Sequence, residues 1–180
     1  MGYACYEEKN YPAAVKNYQN SIANGNTTYE VYFNLGSVFE LMDMPEEALE
    51  RYQKAFDKSG NHSVLYAMGN CAVQLGLYSK AIQWYNAFLA EEPGHTEALI
   101  GLANAHQLKK DYSHAIAIYE KIIQQDKLFA KAYYNLGSIY AYYIKDYAKM
   151  KEYWEQYITL FPHAKDAEFI KREMIKIGKN

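Results

Sequence analysis

Apolar residues recur three and four apart along almost the whole chain, as in Tyr32, Leu35, Phe39 and then Ala48, Tyr52, Ala55. That spacing belongs to a helix with one buried stripe and not to a half-buried strand. It predicts helices over 1–8, 12–24, 29–42, 46–58, 62–75, 79–91, 96–108, 112–125, 129–144, 147–160 and 164–177. Turn-forming residues punctuate the pattern at Asn24-Gly25-Asn26, Ser59-Gly60-Asn61, Pro93-Gly94 and Phe161-Pro162. Pro12 and Pro45 fall in first helical turns, where a missing N–H costs nothing. Thr27 with Glu30 has the spacing of a capping box. No strand and no linker is visible, so one continuous array is expected.

The helices repeat in pairs. Leu35-Gly36, Met68-Gly69, Leu102-Ala103 and Leu136-Gly137 form one column, joined by Met1-Gly2. Ala14, Ala48, Ala81, Ala115 and Met150 form a second, followed four residues later by Tyr18, Tyr52, Tyr85, Tyr119 and Trp154. The period is about 34 residues. Small residues in two columns allow close approach of paired helices. The units predicted are 1–28 (truncated), 29–61, 62–95, 96–129 and 130–163, with a capping helix at 164–177.

This pattern resembles the tetratricopeptide repeat family, most clearly at Tyr32-Phe33-Asn34-Leu35-Gly36 and Tyr133-Tyr134-Asn135-Leu136-Gly137. The resemblance covers nearly the whole chain. It implies an all-α, right-handed superhelix (solenoid) of about five helical hairpins plus the capping helix. Ala103 in place of Gly, Met150 in place of Ala, and an extra residue within Tyr143-Ile144-Lys145-Asp146 depart from the family pattern. The last hairpin is therefore expected to be looser or rotated. In the final helix Ala167, Ile170, Met174 and Ile177 share one face, with Lys165, Asp166, Lys171, Arg172, Glu173 and Lys176 over much of the rest. That composition suits a cap with a polar outer side. The first unit has no such cover, so either trimming from a longer parent or docking of the open end, self-association included, is expected.

Composition narrows the function. The chain has 180 residues, 50% hydrophobic, with 20 tyrosines and a net charge of -2. Nothing in that balance draws in nucleic acid or an acidic membrane. No apolar run reaches the roughly 18 residues of a membrane span, so no membrane insertion is expected. The acidic Met1–Glu8 start is no secretory signal, and Gly2 lacks the Ser or Thr that myristoylation wants where Tyr6 stands. A cytoplasmic location is expected. Cys5 and Cys71 read as small core residues.

The five histidines form no His-Glu-x-x-His or Cys-x-x-Cys set, and no phosphate loop is present. His106 shares a packing column with Phe39 and Tyr140 and reads as a core histidine. No catalytic site, metal site or cofactor is expected.

The resemblance implies that the first helix of each hairpin lines a concave binding groove for a protein or peptide ligand. Carried over, that surface is Phe33, Asn34 and Ser37; Tyr66 and Asn70; Ile100 and Asn104; Lys131, Tyr134, Asn135 and Ser138, with Tyr3 and Tyr6 beyond them and Glu97 beside them. Each complete unit offers one asparagine there, in two units one turn later because Ala67 and Gly101 occupy the earlier place. Amides both donate and accept, which matches an extended peptide backbone. The same amides could instead bond to neighbouring helices and fix the stack. Basic residues that clamp a carboxylate in some family members are absent apart from Lys131. A neutral groove also argues against reading RNA. The expected function is a non-enzymatic scaffold or adaptor, the alternative an assembly module acting through the first hairpin.

Overall fold

The computed structural model describes residues 10–178. The predicted helix at 1–8, with Met1-Gly2, Tyr3, Cys5 and Tyr6, lies outside the described residues. The described helices are α1 (Tyr11–Ala23), α2 (Tyr29–Leu41), α3 (Pro45–Ser59), α4 (Ser63–Gln74), α5 (Tyr78–Glu91), α6 (Thr96–Leu108), α7 (Tyr112–Gln125), α8 (Ala130–Ile139), α9 (Tyr147–Leu160) and α10 (Ala167–Ile177). Among the described residues none is a strand, and no helix is long and apolar enough to cross a membrane. The helices fall into two compact units, Met1–Ala105 and His106–Asn180.

In the first unit α2 packs on α3 and α4 on α5, while α3 also packs on α4 and α1 on α2. The glycine column sets these pairings. A Cβ added at Gly36 would lie 2.8 Å from the Tyr52 ring, and one at Gly69 would lie 2.7 Å from Tyr85. Each aromatic ring thus rests directly on helix backbone, an approach that only glycine allows. Tyr85 is held from two sides, because a Cβ at Gly101 of α6 would also meet its ring, at 2.6 Å. Tyr52 and Tyr85 are 1% and 2% exposed, so the aromatic column is core. Filling it removes about 150–250 Å² of ring surface from water per residue.

In the second unit α8 packs on α9 and on α7, and α10 packs on α9. Gly137 faces the indole of Trp154, the tightest of these seats, and Met150 and Trp154 are both buried. The expected irregularity of this hairpin takes a definite form. Instead of running to 144, α8 gives way after Ile139 to a π-helical turn at Tyr140–Ile144. A wider turn takes up one extra residue without breaking the helix axis.

Corners within hairpins share one device. Asp43, Gly76, Lys110 and Lys145 all have left-handed backbone, with φ of 58°, 71°, 66° and 61°. Each precedes the second helix of its hairpin by two residues, and only Gly76 adopts that conformation without steric cost.

The helix ends differ from the expectation in two places. The N-cap of α2 is Thr28, with no side-chain cap bond, so the Thr27–Glu30 capping box does not form. Glu30 then stands second in the helix, one place too early to reach back to the cap. The last helix begins at Ala167, after a turn in which the Ala164 and Ala167 amides bond to Phe161 and Ala164 carbonyls. Ala167 and Ile170 face the core, but Phe169 and Ile175 are 45% and 60% exposed, so its outer side is not wholly polar. Asp166 is turned back on α9, accepting a hydrogen bond from Tyr157.

Candidate functional site

The buried tyrosines decide what the first-helix polar residues are free to do. A phenol hydroxyl at the end of a buried ring needs a partner, and here it reaches the face of a first helix. Tyr52 donates to Ser37 Oγ at 3.2 Å and to Glu40 at 2.7 Å. Tyr85 donates to Asn70 Oδ1 at 2.7 Å, and Asn135 Nδ2 donates to Tyr119 at 2.9 Å. Trp154, which has no hydroxyl, donates its indole N–H to the Tyr134 carbonyl at 3.3 Å. Burial pushes the Tyr119 phenol up to about 12, against the lowering effect of the Asn135 bond. Burial raises Tyr85 and Tyr52 further still.

Of the four asparagines, therefore, Asn70 and Asn135 each spend one end on a buried tyrosine. What remains is the amide donor of Asn70 and the carbonyl acceptor of Asn135. Asn34 is half-buried and Asn104 exposed, and neither bonds to a described residue. The two inner hydroxyls, Ser37 and Ser138, donate to the carbonyls of Phe33 and Tyr134 one turn back. Phe33 lies against Tyr52 with ring centres 5.4 Å apart, and Tyr66 against Phe88 and His95 at 5.6 and 5.2 Å. Both rings are half-buried, as is Ile100.

The second unit brings three of the expected residues into one cavity of about 420 Å³. Lys131, Tyr134 and Asn135 line it from α8, Tyr157 from α9, and Asp166 from the turn before α10. Spacing of three and four residues places the α8 side chains on one face, with Ser138 a turn further along. Tyr157 and Tyr134 meet edge to face at 6.1 Å. The Tyr157 hydroxyl donates to Asp166 at 2.8 Å. Burial first, and then that carboxylate, push its phenol up to about 12. Lys131 is exposed at the rim. The cavity thus has an aromatic wall, an exposed cation, a carboxylate and one free amide carbonyl. Tyr157 and Asp166 were not legible as site residues, because only the turn at 162–166 swings Asp166 back over α9.

A second cavity, about 450 Å³, lies in the first unit between α3 and α5, walled by Leu49, Leu75 and Trp84 with Glu50 and Lys80 at its edge. Leu49, Gln53 and Asp57 recur four apart on one face of α3, with Glu50 next to Leu49, a signal present in the sequence.

One further constellation matches no fixed sequence motif. His106 at the end of α6, Asp111 before α7 and His114 within its first turn hold ligand-type atoms within 4.8 Å of one another. His106 is a satisfied, mostly buried histidine: its Nδ1 lies 3.0 Å from Asp111 Oδ2, and His114 Nδ1 lies 2.8 Å from Oδ1. His114 first, then His106 and Ser113, hold the Asp111 carboxyl far below the usual carboxylate range.

Comparison with known proteins agrees with this architecture. Tetratricopeptide repeat family models match residues 43–96, and again 96–127 and 130–163. The human intraflagellar transport protein 88 homolog is 34% identical over 149 residues, covering 76% of this chain and 17% of the relative. The chain spans between 17% and 26% of the length of the curated relatives it matches. Among solved structures, YrrB, described as a TPR protein with an unusual peptide-binding site, superposes with a TM-score of 0.82 at 21% identity. The match covers 95% of this chain and 88% of YrrB. A tetratricopeptide repeat protein from Parabacteroides merdae gives 0.84 at 19% identity, covering 98% of this chain and 69% of the other. Such identities carry the fold alone. With repeated glycine seats, aromatic columns and matching family models over most of its length, this chain belongs to the tetratricopeptide repeat family, whose members generally mediate protein–protein interaction.

Proposed function

We propose that the chain is a non-enzymatic scaffold that takes an extended segment of a partner protein against the first-helix face of its second unit, in the Tyr134–Tyr157 cavity. The observation that carries this reading is the convergence there of an aromatic wall with unlike polar groups: Lys131, Asp166 and the free Asn135 carbonyl. An apolar side chain of the ligand lies against Tyr134, where ring burial supplies most of the affinity. A ligand backbone N–H donates to Asn135, and an acidic residue pairs with Lys131 at the rim. Phe33, Asn34, Ser37, Tyr66, Asn70, Ile100 and Asn104 form the corresponding first-helix surface of the first unit and extend the choice of ligands there. The half-spent amides favour one-sided contacts with a backbone over a uniform ladder, so specificity rests on the side chains that the aromatic residues accept.

A phage-displayed peptide library panned against the full chain tests this. Tyr134→Ala lowers the affinity of the selected peptides about tenfold, the size expected of an interface anchor, while the melting temperature stays close to that of the parent. Selected peptides that bind the variant equally well overturn the reading.

A further inference from the structure

The structure assigns a transition-metal site to the α6–α7 corner, where His106, Asp111 and His114 would hold a zinc-like divalent ion. The three residues come from a single tight corner. The Asp111 amide donates to the His106 carbonyl at 2.8 Å, and that of Lys110 to Gln107 at 2.9 Å, so the backbone fixes where the two helix ends stand. The imidazole rings lie almost parallel, 4.9 Å between centres and 16° apart, with both Nδ1 atoms turned to the same carboxylate. Ser113 Oγ donates to Asp111 Oδ1 at 3.1 Å and orients the carboxylate from outside.

Two imidazoles and one carboxylate are the ligand types that suit zinc, copper and nickel, and they discriminate against magnesium and calcium, which demand oxygen. Bond lengths of about 2.0–2.2 Å in a tetrahedral site place ligand atoms about 3.3–3.5 Å apart. The Nδ1–carboxylate separations of 2.8 and 3.0 Å are already near that value, and the nitrogens must draw together. His114 can do so readily, since its side chain is 68% exposed, whereas His106, at 12%, is the fixed arm. Three protein ligands leave a fourth position for water, so the site is of the open kind.

At each ring the ion replaces a proton. The Nδ1 proton that now bonds to Asp111 moves to Nε2 of the same neutral ring, and an imidazolium releases its proton to solvent. No electron is transferred. Binding is therefore weakened by acid, which returns a proton to each ring. Lys109 and Lys110 are exposed within the same corner, where solvent screens their charge. The Asp111 carboxylate faces both rings.

Isothermal titration of the full chain with zinc chloride tests the assignment, with magnesium chloride as the control. The expected result is one zinc ion per chain, no magnesium binding, and weakening by about 10–100-fold in His114→Ala and in Asp111→Asn. His114 is exposed, so the first variant keeps the fold. Cobalt substitution should add the intense visible bands of tetrahedral nitrogen–oxygen coordination, lost in His114→Ala. Binding that survives both substitutions but disappears in a His62→Ala, His95→Ala, His163→Ala triple variant would overturn the site. So would a titration showing no stoichiometric binding at neutral pH.

Discussion

The hairpin α2–α3 and the hairpin α8–α9 carry the same columns, yet they solve the same packing problem differently. In α2–α3 the seat is Gly36, the incoming ring is Tyr52, and the neighbouring small residue is Ala48. In α8–α9 the seat is Gly137, the ring is the larger Trp154, and Met150 replaces the alanine. The second hairpin encloses more side-chain volume behind a similar glycine and takes up its extra residue in the π-helical turn Tyr140–Ile144. Repeat columns therefore fix where a residue sits, while backbone irregularity absorbs changes in chain length. The chemistry differs too. Tyr52 ends in a hydroxyl that occupies Ser37 and Glu40, while Trp154 occupies only a backbone carbonyl and leaves the α8 face above it free for the cavity.

The sharpest break in this comparison comes from alkali. Tyrosine pKa values are raised in the folded chain, to about 12 at Tyr119 and further at Tyr85 and Tyr52. The neutral phenol is thus favoured by folding. Its contribution is complete below the unfolded value of about 10 and disappears as the pH rises toward the folded value. Thermal melts should show the fold lost between about pH 10 and about pH 12, with the last part of the tyrosinate absorbance, that of the buried rings, appearing only as helicity falls. Complete ionisation of all the tyrosines in a chain that stays helical would show that these rings are not sealed. The Trp154 seat has no ionisable group, so Tyr119→Trp should shift the midpoint to higher pH wherever the larger ring fits.

Next in size is a methyl group at the two glycine seats. Gly137→Ala drives a Cβ into the Trp154 indole and should cost about 2–3 kcal/mol in urea melts. Gly36→Ala meets Tyr52 at 2.8 Å, and part of its strain is offset by the roughly 1 kcal/mol that alanine gains over glycine in a helix. Its net cost should be about 1 kcal/mol. Equal costs at both seats would remove the claimed difference in tightness.

Tyr85→Phe removes a buried hydroxyl and leaves Asn70 Oδ1 without its donor, at an expected cost of about 1 kcal/mol. The same urea experiment on Tyr119→Phe should give a similar loss, since Asn135 is its partner. The smallest effect belongs to the corners. Lys145→Gly relieves a left-handed residue at φ 61°, and after the entropy lost by a more flexible unfolded chain it should stabilise by about 0.5 kcal/mol. A destabilised variant would mean that the Lys145 side chain makes contacts worth more than the backbone strain.

Helix pairing was readable in the sequence because Gly36, Gly69 and Gly137 recur opposite Tyr52, Tyr85 and Trp154, and no other simple pattern explains small and aromatic residues at fixed offsets. Lys131, Tyr134 and Asn135 were readable for the same reason, being fixed in register with Leu136-Gly137. Less visible was what turns and buried hydroxyls do. No spacing rule says that Tyr85 will claim Asn70, or that Asn135 will donate to Tyr119, since both depend on distances across helices. Thr28 displaced Thr27 as a cap because one residue of shift decides whether Glu30 can reach back. The His106–Asp111–His114 cluster was hidden because its spacing is set by a corner rather than by one helix face.

The claim that Tyr134 and Tyr157 receive the partner is tested most directly by placing a benzophenone amino acid at position 134, and separately at position 49, and irradiating each protein with a peptide selected from the library. Crosslinks are expected at 134, abolished by an excess of unlabelled peptide, and none at 49. Crosslinks at 49 alone would move the docking surface to the α3–α5 cavity beside Trp84 and contradict it.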